Sequence, residues 1–161
     1  MITTTVWDID GTLLVNPLPA PDWDNPQAVH PTTGENVCGD MPVYFSHNQL
    51  NPQLRPKDLP EIDWVLTGRP RYRRLMTFDE LGKYHINPLT LTLFPSEWQY
   101  THKKCMEWKA DVLAVSFAAD YYVDNDPQVA AEIIPLLKER KSHCQVITVS
   151  QWQQMFDDGV I

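Results

Sequence analysis

From residue 61 onward, short apolar runs alternate with stretches of helical period. IDWVL (62–66), LTLTLF (89–94), YYV (121–123) and QVITV (145–149) are rich in β-branched and aromatic residues and read as buried strands. Thr3–Trp7 reads as one more strand near the start. Between the later strands, residues 70–83, 97–117 and 127–140 read as helices, with Pro135 expected to kink the last of these. Thr77-Phe78-Asp79-Glu80 has the capping-box pattern and predicts a helix start or restart at Thr77. Ser150-Gln151-Trp152-Gln153 has the same pattern and predicts a terminal helix. Strands separated by helices cannot pair through tight turns. Each connection must cross over, which gives a parallel sheet with helices on both faces.

The first strand and the second are separated by residues 16–60, where no period is evident. This stretch holds most of the chain's 14 prolines and reads as loop. PVYF (42–45) is expected to be a short strand, and HNQLNPQLRPKDL (47–59) a broken helix weakened by Pro52 and Pro56. The whole chain, 1–161, is expected to form a single domain with 16–60 as an irregular flap. Trp23, Tyr44 and Phe45 are its aromatic candidates for facing a substrate, or else for packing the flap onto the core.

Parallel α/β sheets bind ligands beyond the carboxyl ends of their strands. Strand one runs into Asp8 and Asp10, strand two into Thr67, Gly68 and Arg69, and strand four into Asp124, Asn125 and Asp126. Three strands thus deliver acids and phosphate-binding groups to one edge. Acids gathered there repel one another, and a divalent cation relieves this. Mg²⁺ suits a few carboxylates, waters and a substrate phosphate. Zinc spacings are absent, and an EF-hand reading fails because Leu13 stands where glycine is needed. No Walker A, GxGxxG or GxSxG pattern occurs.

DIDGT (8–12), TGR (67–69), a lysine in the helix before strand four, and VDND (123–126) resemble the four motifs of the haloacid dehalogenase-like (HAD) phosphatase superfamily. LTGRPRYRR, HINPLTLTLFP and KADVL before YYVDNDP are most similar to the phosphatase domain of phage polynucleotide kinase and related small HAD phosphatases. The resemblance covers residues 1–15 and 61–150. It implies a Rossmann-like five-stranded parallel sheet in the order 3-2-1-4-5, with 16–60 in the position of a cap.

The resemblance also implies roles. Asp8 is the expected nucleophile, forming an aspartyl-phosphate, and Asp10 the acid and then the base; its main-chain carbonyl would also bind the metal. Thr67 and the Gly68 amide would bind phosphate at a helix start, or Thr67 would simply cap that helix. Arg69 would touch a substrate phosphate. Lys109, whose place 15 residues before Asp124 fits the family spacing, would neutralise the phosphate and Asp8, with Lys104 as its rival. Asp8, Asp10, Asp124 and Asn125 are the expected Mg²⁺ site. The family's second acid is replaced at Asn125, and Asp126 is either that acid or the N-cap before Pro127.

The activity expected is Mg²⁺-dependent hydrolysis of phosphomonoesters, with a nucleotide or other small phosphate as substrate. A polynucleotide 3′-phosphatase is the alternative, disfavoured by the net charge of −8. An inactive phosphate-binding module is the non-enzymatic alternative, motivated by Asn125. Three distant cysteines, no apolar run of membrane length and no signal-peptide pattern at the start lead to the expectation of a cytoplasmic protein without a membrane partner.

Overall fold

The computed structural model describes residues 3–161. Five parallel strands form the main sheet: β1 (Thr5–Trp7), β4 (Trp64–Pro70), β5 (Thr90–Phe94), β6 (Tyr121–Val123) and β7 (Gln145–Ile147). A separate antiparallel pair joins β2 (Leu14–Val15) to β3 (Gln49–Leu50). The main sheet runs β5-β4-β1-β6-β7, so counted within that sheet alone the order is 3-2-1-4-5. β1 is central and pairs with both β4 and β6.

Strand alternation sends successive residues to opposite faces. Trp7, Val65 and Val123 face one apolar cluster, which Leu81 of α2 (Arg74–Gly82) and Trp152 of α5 (Val149–Asp157) complete. Val6, Leu66 and Tyr122 face the other, completed by α3 (His102–Asp111) and α4 (Pro127–Glu139). The rings of Trp7 and Trp152 meet edge to face at 4.8 Å. Helices therefore cover both faces, as the alternation requires. Among the described residues, no helix is long and apolar enough to cross a membrane.

Several local expectations are corrected. PVYF is not a strand but the start of α1 (Pro42–Ser46). As a strand it would send Tyr44 and Phe45 to opposite sides; as a helix it buries both beside Met41. The Glu35 carboxylate accepts from the amides of Val43 (2.9 Å) and Tyr44 (2.7 Å), satisfying the donors that open the helix. Residues 47–59 hold β3 and turns rather than a broken helix, followed by a 3-10 turn at Leu59–Glu61. Thr77 starts nothing: a 3-10 turn (Arg71–Arg73) leads into α2, and Thr77 lies buried inside it. The capping box of α5 is Thr148 with Gln151, two residues earlier than predicted, so β7 stops at Ile147. The helix expected at 97–117 begins at His102, capped by the Thr101 hydroxyl, and ends in a π-helical turn (Val112–Ser116).

Candidate active site

β1 ends at Trp7, and its ladder continues one step further as the Asp8 amide donates to Val123 O at 3.0 Å. The chain then turns sharply. The Ile9 carbonyl accepts from the amides of Thr12, Leu13 and Leu14 (2.9–3.0 Å), and Gly11 takes a φ of 86°. That left-handed φ suits glycine and strains other residues. The turn leaves Asp8 buried at the sheet edge and Asp10 facing a cavity of about 660 Å³. The Asp10 side chain keeps 53% of its surface exposed.

Asp8 Oδ1 accepts from Lys109 Nζ at 2.9 Å, and Oδ2 accepts from the Thr12 hydroxyl at 3.3 Å. Lys109 also donates to the Tyr122 hydroxyl (2.9 Å), which donates to Asp124 Oδ2 (3.0 Å). Asp124 Oδ1 accepts from the Asp126 amide at 2.9 Å. Asp8, Lys109, Tyr122 and Asp124 are all buried. Burial pushes the Asp8 carboxyl above its ordinary pKa despite Lys109. Burial, then the charge of Asp8, raises Asp124 to about 7. For Lys109, desolvation is outweighed by Asp8, and its pKa lies well above the usual lysine value.

A bulge shapes the β4 side. Thr67 pairs with Leu93 and Pro70 with Phe94, so Gly68 and Arg69 are two extra residues on β4. The Arg69 guanidinium makes a two-point pair with Asp10, Nε to Oδ2 at 3.0 Å and Nη2 to Oδ1 at 2.8 Å. The same Nη2 donates to Glu80 at 2.9 Å, and Glu80 accepts from Asn48 at 2.9 Å. Desolvation raises the Asp10 carboxyl, but Arg69 outweighs it, and the net pKa lies below the ordinary value. A Cβ on Gly68 would stand 2.9 Å from Cys105 Sγ, so this position has no room for a side chain.

The structure therefore brings together Asp8, Asp10, Lys109, Asp124, Gly68 and Arg69 around one cavity. Other expectations are corrected. Lys104 is exposed and lies off the cavity, so Lys109 is the lysine that meets Asp8. Thr67 and Gly68 lie in extended β4, not at a helix start. Thr67 does not line the cavity; its hydroxyl accepts from the Arg69 amide at 3.1 Å and holds the bulge. Arg69 is paired with two carboxylates, so an incoming phosphate has to compete with Asp10 and Glu80 for it. The Asn125 side chain is turned away as a ligand: Oδ1 accepts from the Val149 amide (2.8 Å) and Nδ2 donates to Gln53 (2.9 Å). Asp126 caps α4 by accepting from the Gln128 amide at 2.9 Å, and it also borders the cavity.

Thr12, Tyr122 and Glu80 were missed by sequence reasoning, whereas Arg73 belongs to the basic run Arg69, Arg71, Arg73 and Arg74, whose place beside Thr67 suits either a solvated face or a substrate anion. Tyr122 was within reach, since it stands two residues before Asp124 on one strand and so shares its face. Glu80 gave no such signal, being joined to Arg69 only through the fold.

The flap forms the cavity's far wall through Asn16, Leu18, Trp23, Tyr44 and Phe45. Tyr44 and Phe45 are also buried in an apolar cluster, so these aromatics both pack and face the cavity.

No family model matches the chain, and no curated protein matches it in sequence. Among solved structures, it is similar to a chain in "Structure of the Pnkp1/Rnl/Hen1 RNA repair complex", at 15% identity and a TM-score of 0.56. That likeness covers 91% of this chain and 42% of the other, so this chain spans less than half of its neighbour's length. At this identity the likeness shows the fold: a parallel α/β sheet flanked by helices.

Proposed function

We propose that this chain is a HAD-like phosphomonoester hydrolase acting on a nucleotide-sized phosphate, with Asp8 as nucleophile. The observation that carries the reading is the buried Asp8 carboxylate at the cavity edge, held by Lys109 and Thr12 with Asp124 beside it. An Asp8 oxygen attacks phosphorus, the ester P–O bond breaks, and the departing oxygen takes a proton from Asp10. Water then attacks the aspartyl-phosphate, Asp10 takes a proton from it, and the breaking P–O bond returns Asp8 and free phosphate. Lys109 holds Asp8 in place and offsets charge on the phosphoryl oxygens.

Arg69 gives Asp10 its protonation cycle. Paired with Arg69, Asp10 is ionised and fit to act as a base. Before it can donate, a substrate phosphate must draw the guanidinium away, after which desolvation raises the Asp10 carboxyl.

The charges suit Mg²⁺. Two buried carboxylates, Asp8 and Asp124, share one lysine. Among the described residues no three His, Cys, Asp or Glu side chains form a metal cluster, so a main-chain oxygen, waters and substrate would complete the set, as Mg²⁺ prefers. Asp8, Asp124 and the Asp10 carbonyl would hold the ion, without Asn125. When bound, it neutralises the phosphoryl oxygens.

Phosphate release with Mg²⁺ from an aryl phosphate and a nucleotide panel tests the reading. Wild type is expected to turn over, and Asp8→Asn to lose roughly 10³-fold or more. An inert wild type, or an Asp8→Asn variant as active as wild type, sinks it. A second reading, hydrolysis at a polynucleotide 3′ end, is supported by the fold shared with a chain of an RNA repair complex. Preference for a 3′-phosphorylated oligonucleotide over mononucleotides would favour it.

A further inference from the structure

Arg73 is a buried cation to which the reaction above gives no task. It is 5% exposed, and its guanidinium lies over the rings of Phe45 (5.0 Å), Tyr72 (5.4 Å) and Trp23 (5.8 Å). One terminal nitrogen donates to the Gly39 carbonyl. Its Nε is buried without any partner. Arg55, Arg69, Arg71 and Arg140 each pair with an acid; among the described residues Arg73 and Arg74 do not, and of these two only Arg73 is buried. A guanidinium taken out of water without an acid in contact is costly, and burial pulls the Arg73 pKa down despite the more distant charges of Asp40 and Asp10.

Arg73 borders the same cavity as Asp8, Asp10 and Lys109. Of the Lys and Arg side chains lining that cavity, Lys109 is paired with Asp8 and Arg69 with Asp10 and Glu80, and the reaction above gives both to the scissile phosphate. Arg73 keeps unused donor capacity on a planar fork that suits two oxygens of one phosphate. A cavity of about 660 Å³ holds far more than the phosphate under attack.

We propose that the preferred substrates carry a second phosphate, bound by Arg73 against Phe45, Trp23 and Tyr72 while the scissile phosphate sits at Asp8. Nucleoside 3′,5′-bisphosphates are the small-molecule representatives of this class. The inference rests on the phosphomonoesterase reading for its chemistry but not for its binding.

The test compares adenosine 3′,5′-bisphosphate with adenosine 3′-monophosphate in wild type, Arg73→Gln and Arg73→Lys. Wild type is expected to favour the bisphosphate by about tenfold or more in kcat/KM. Arg73→Gln should bring that ratio near one, and Arg73→Lys should leave it between. The ratio cancels any general loss of activity. No preference in wild type, or a ratio unchanged in a folded Arg73→Gln, overturns the inference while leaving the hydrolase reading intact. If Arg73→Gln does not fold by circular dichroism, Arg73→Lys decides alone by the same ratio. If neither ester nor an aryl phosphate is hydrolysed, the hydrolase reading fails. Calorimetry of the two nucleotides on wild type and Arg73→Gln then decides the binding claim: a preference lost in the variant supports it, and equal binding overturns it.

Discussion

Lys109 and Lys104 lie five positions apart near one helix, yet their environments are opposite. Lys109 is 4% exposed and held between Asp8 and Tyr122, while Lys104 faces solvent. Lys109→Met is expected to cut phosphate release by at least about 10²-fold, and Lys104→Met to leave it within about twofold. Steady-state kinetics on an aryl phosphate checks both, and equal losses would remove Lys109 from its assigned place. The acids of this site were legible because each follows a strand end, and a parallel sheet gathers strand ends at one edge. The choice of Lys109 over Lys104 was legible only through its spacing from Asp124, because which face α3 turns to the sheet is decided by packing. The Arg69–Asp10 pair was not legible, because a two-residue bulge aims it across the edge of the sheet.

The five strands and the four larger helices were readable because each buries its own apolar side. Elements failed to read where a distant group decides the outcome. The Glu35 carboxylate opens α1 from outside it, and Thr77 and Glu80 serve the Arg69 network rather than a helix start. Two overlapping patterns, Thr148-x-x-Gln151 and Ser150-x-x-Gln153, compete for the start of α5, and the Asn125 oxygen selects the earlier by accepting from the Val149 amide. Within α4, Pro135 is exposed and removes the amide that would bond to the Ala131 carbonyl. Pro135→Ala is expected to stabilise the protein by about 1–2 kcal/mol, measured by urea denaturation. The end of the flap is fastened to α5 by Asp58, which is buried and accepts from Arg55 and from Gln153 (2.8 Å). Desolvation opposes the Asp58 charge, but the Arg55 and Gln153 bonds win and hold its pKa below the ordinary value. A depressed carboxylate stabilises above its unfolded pKa, near 4, and loses this as pH falls through its folded value. Asp58→Asn should therefore destabilise at pH 7 and lose that deficit progressively below about pH 4, read from melts across pH.

At the scale of the whole molecule, the proposed cation links the site to global stability. Asp8 and Asp124 directly follow two adjacent strands, and their mutual charge is a strain that folding imposes. An ion that binds the folded chain stabilises it by about 2.7 kcal/mol at a hundredfold excess over its Kd. Mg²⁺ is expected to raise Tm by several degrees in wild type and by little in Asp124→Ala. A wild-type Tm indifferent to Mg²⁺ would remove the cation from the proposal.

β1 is the middle strand, bonded on both sides, and the acids follow directly from it. Residues 17–40 of the flap, by contrast, meet the rest of the molecule through a small apolar cluster and a few polar contacts. In hydrogen exchange, the amides of Val6 and Trp7 should then open only with global unfolding, while those of residues 17–40 exchange through local opening. Residues 17–40 could thus be shortened or replaced while residues 48–60, bonded to Thr12, Leu13 and α5, keep the geometry of the sheet edge. The chemistry and the choice of substrate would then be separately heritable parts of one chain.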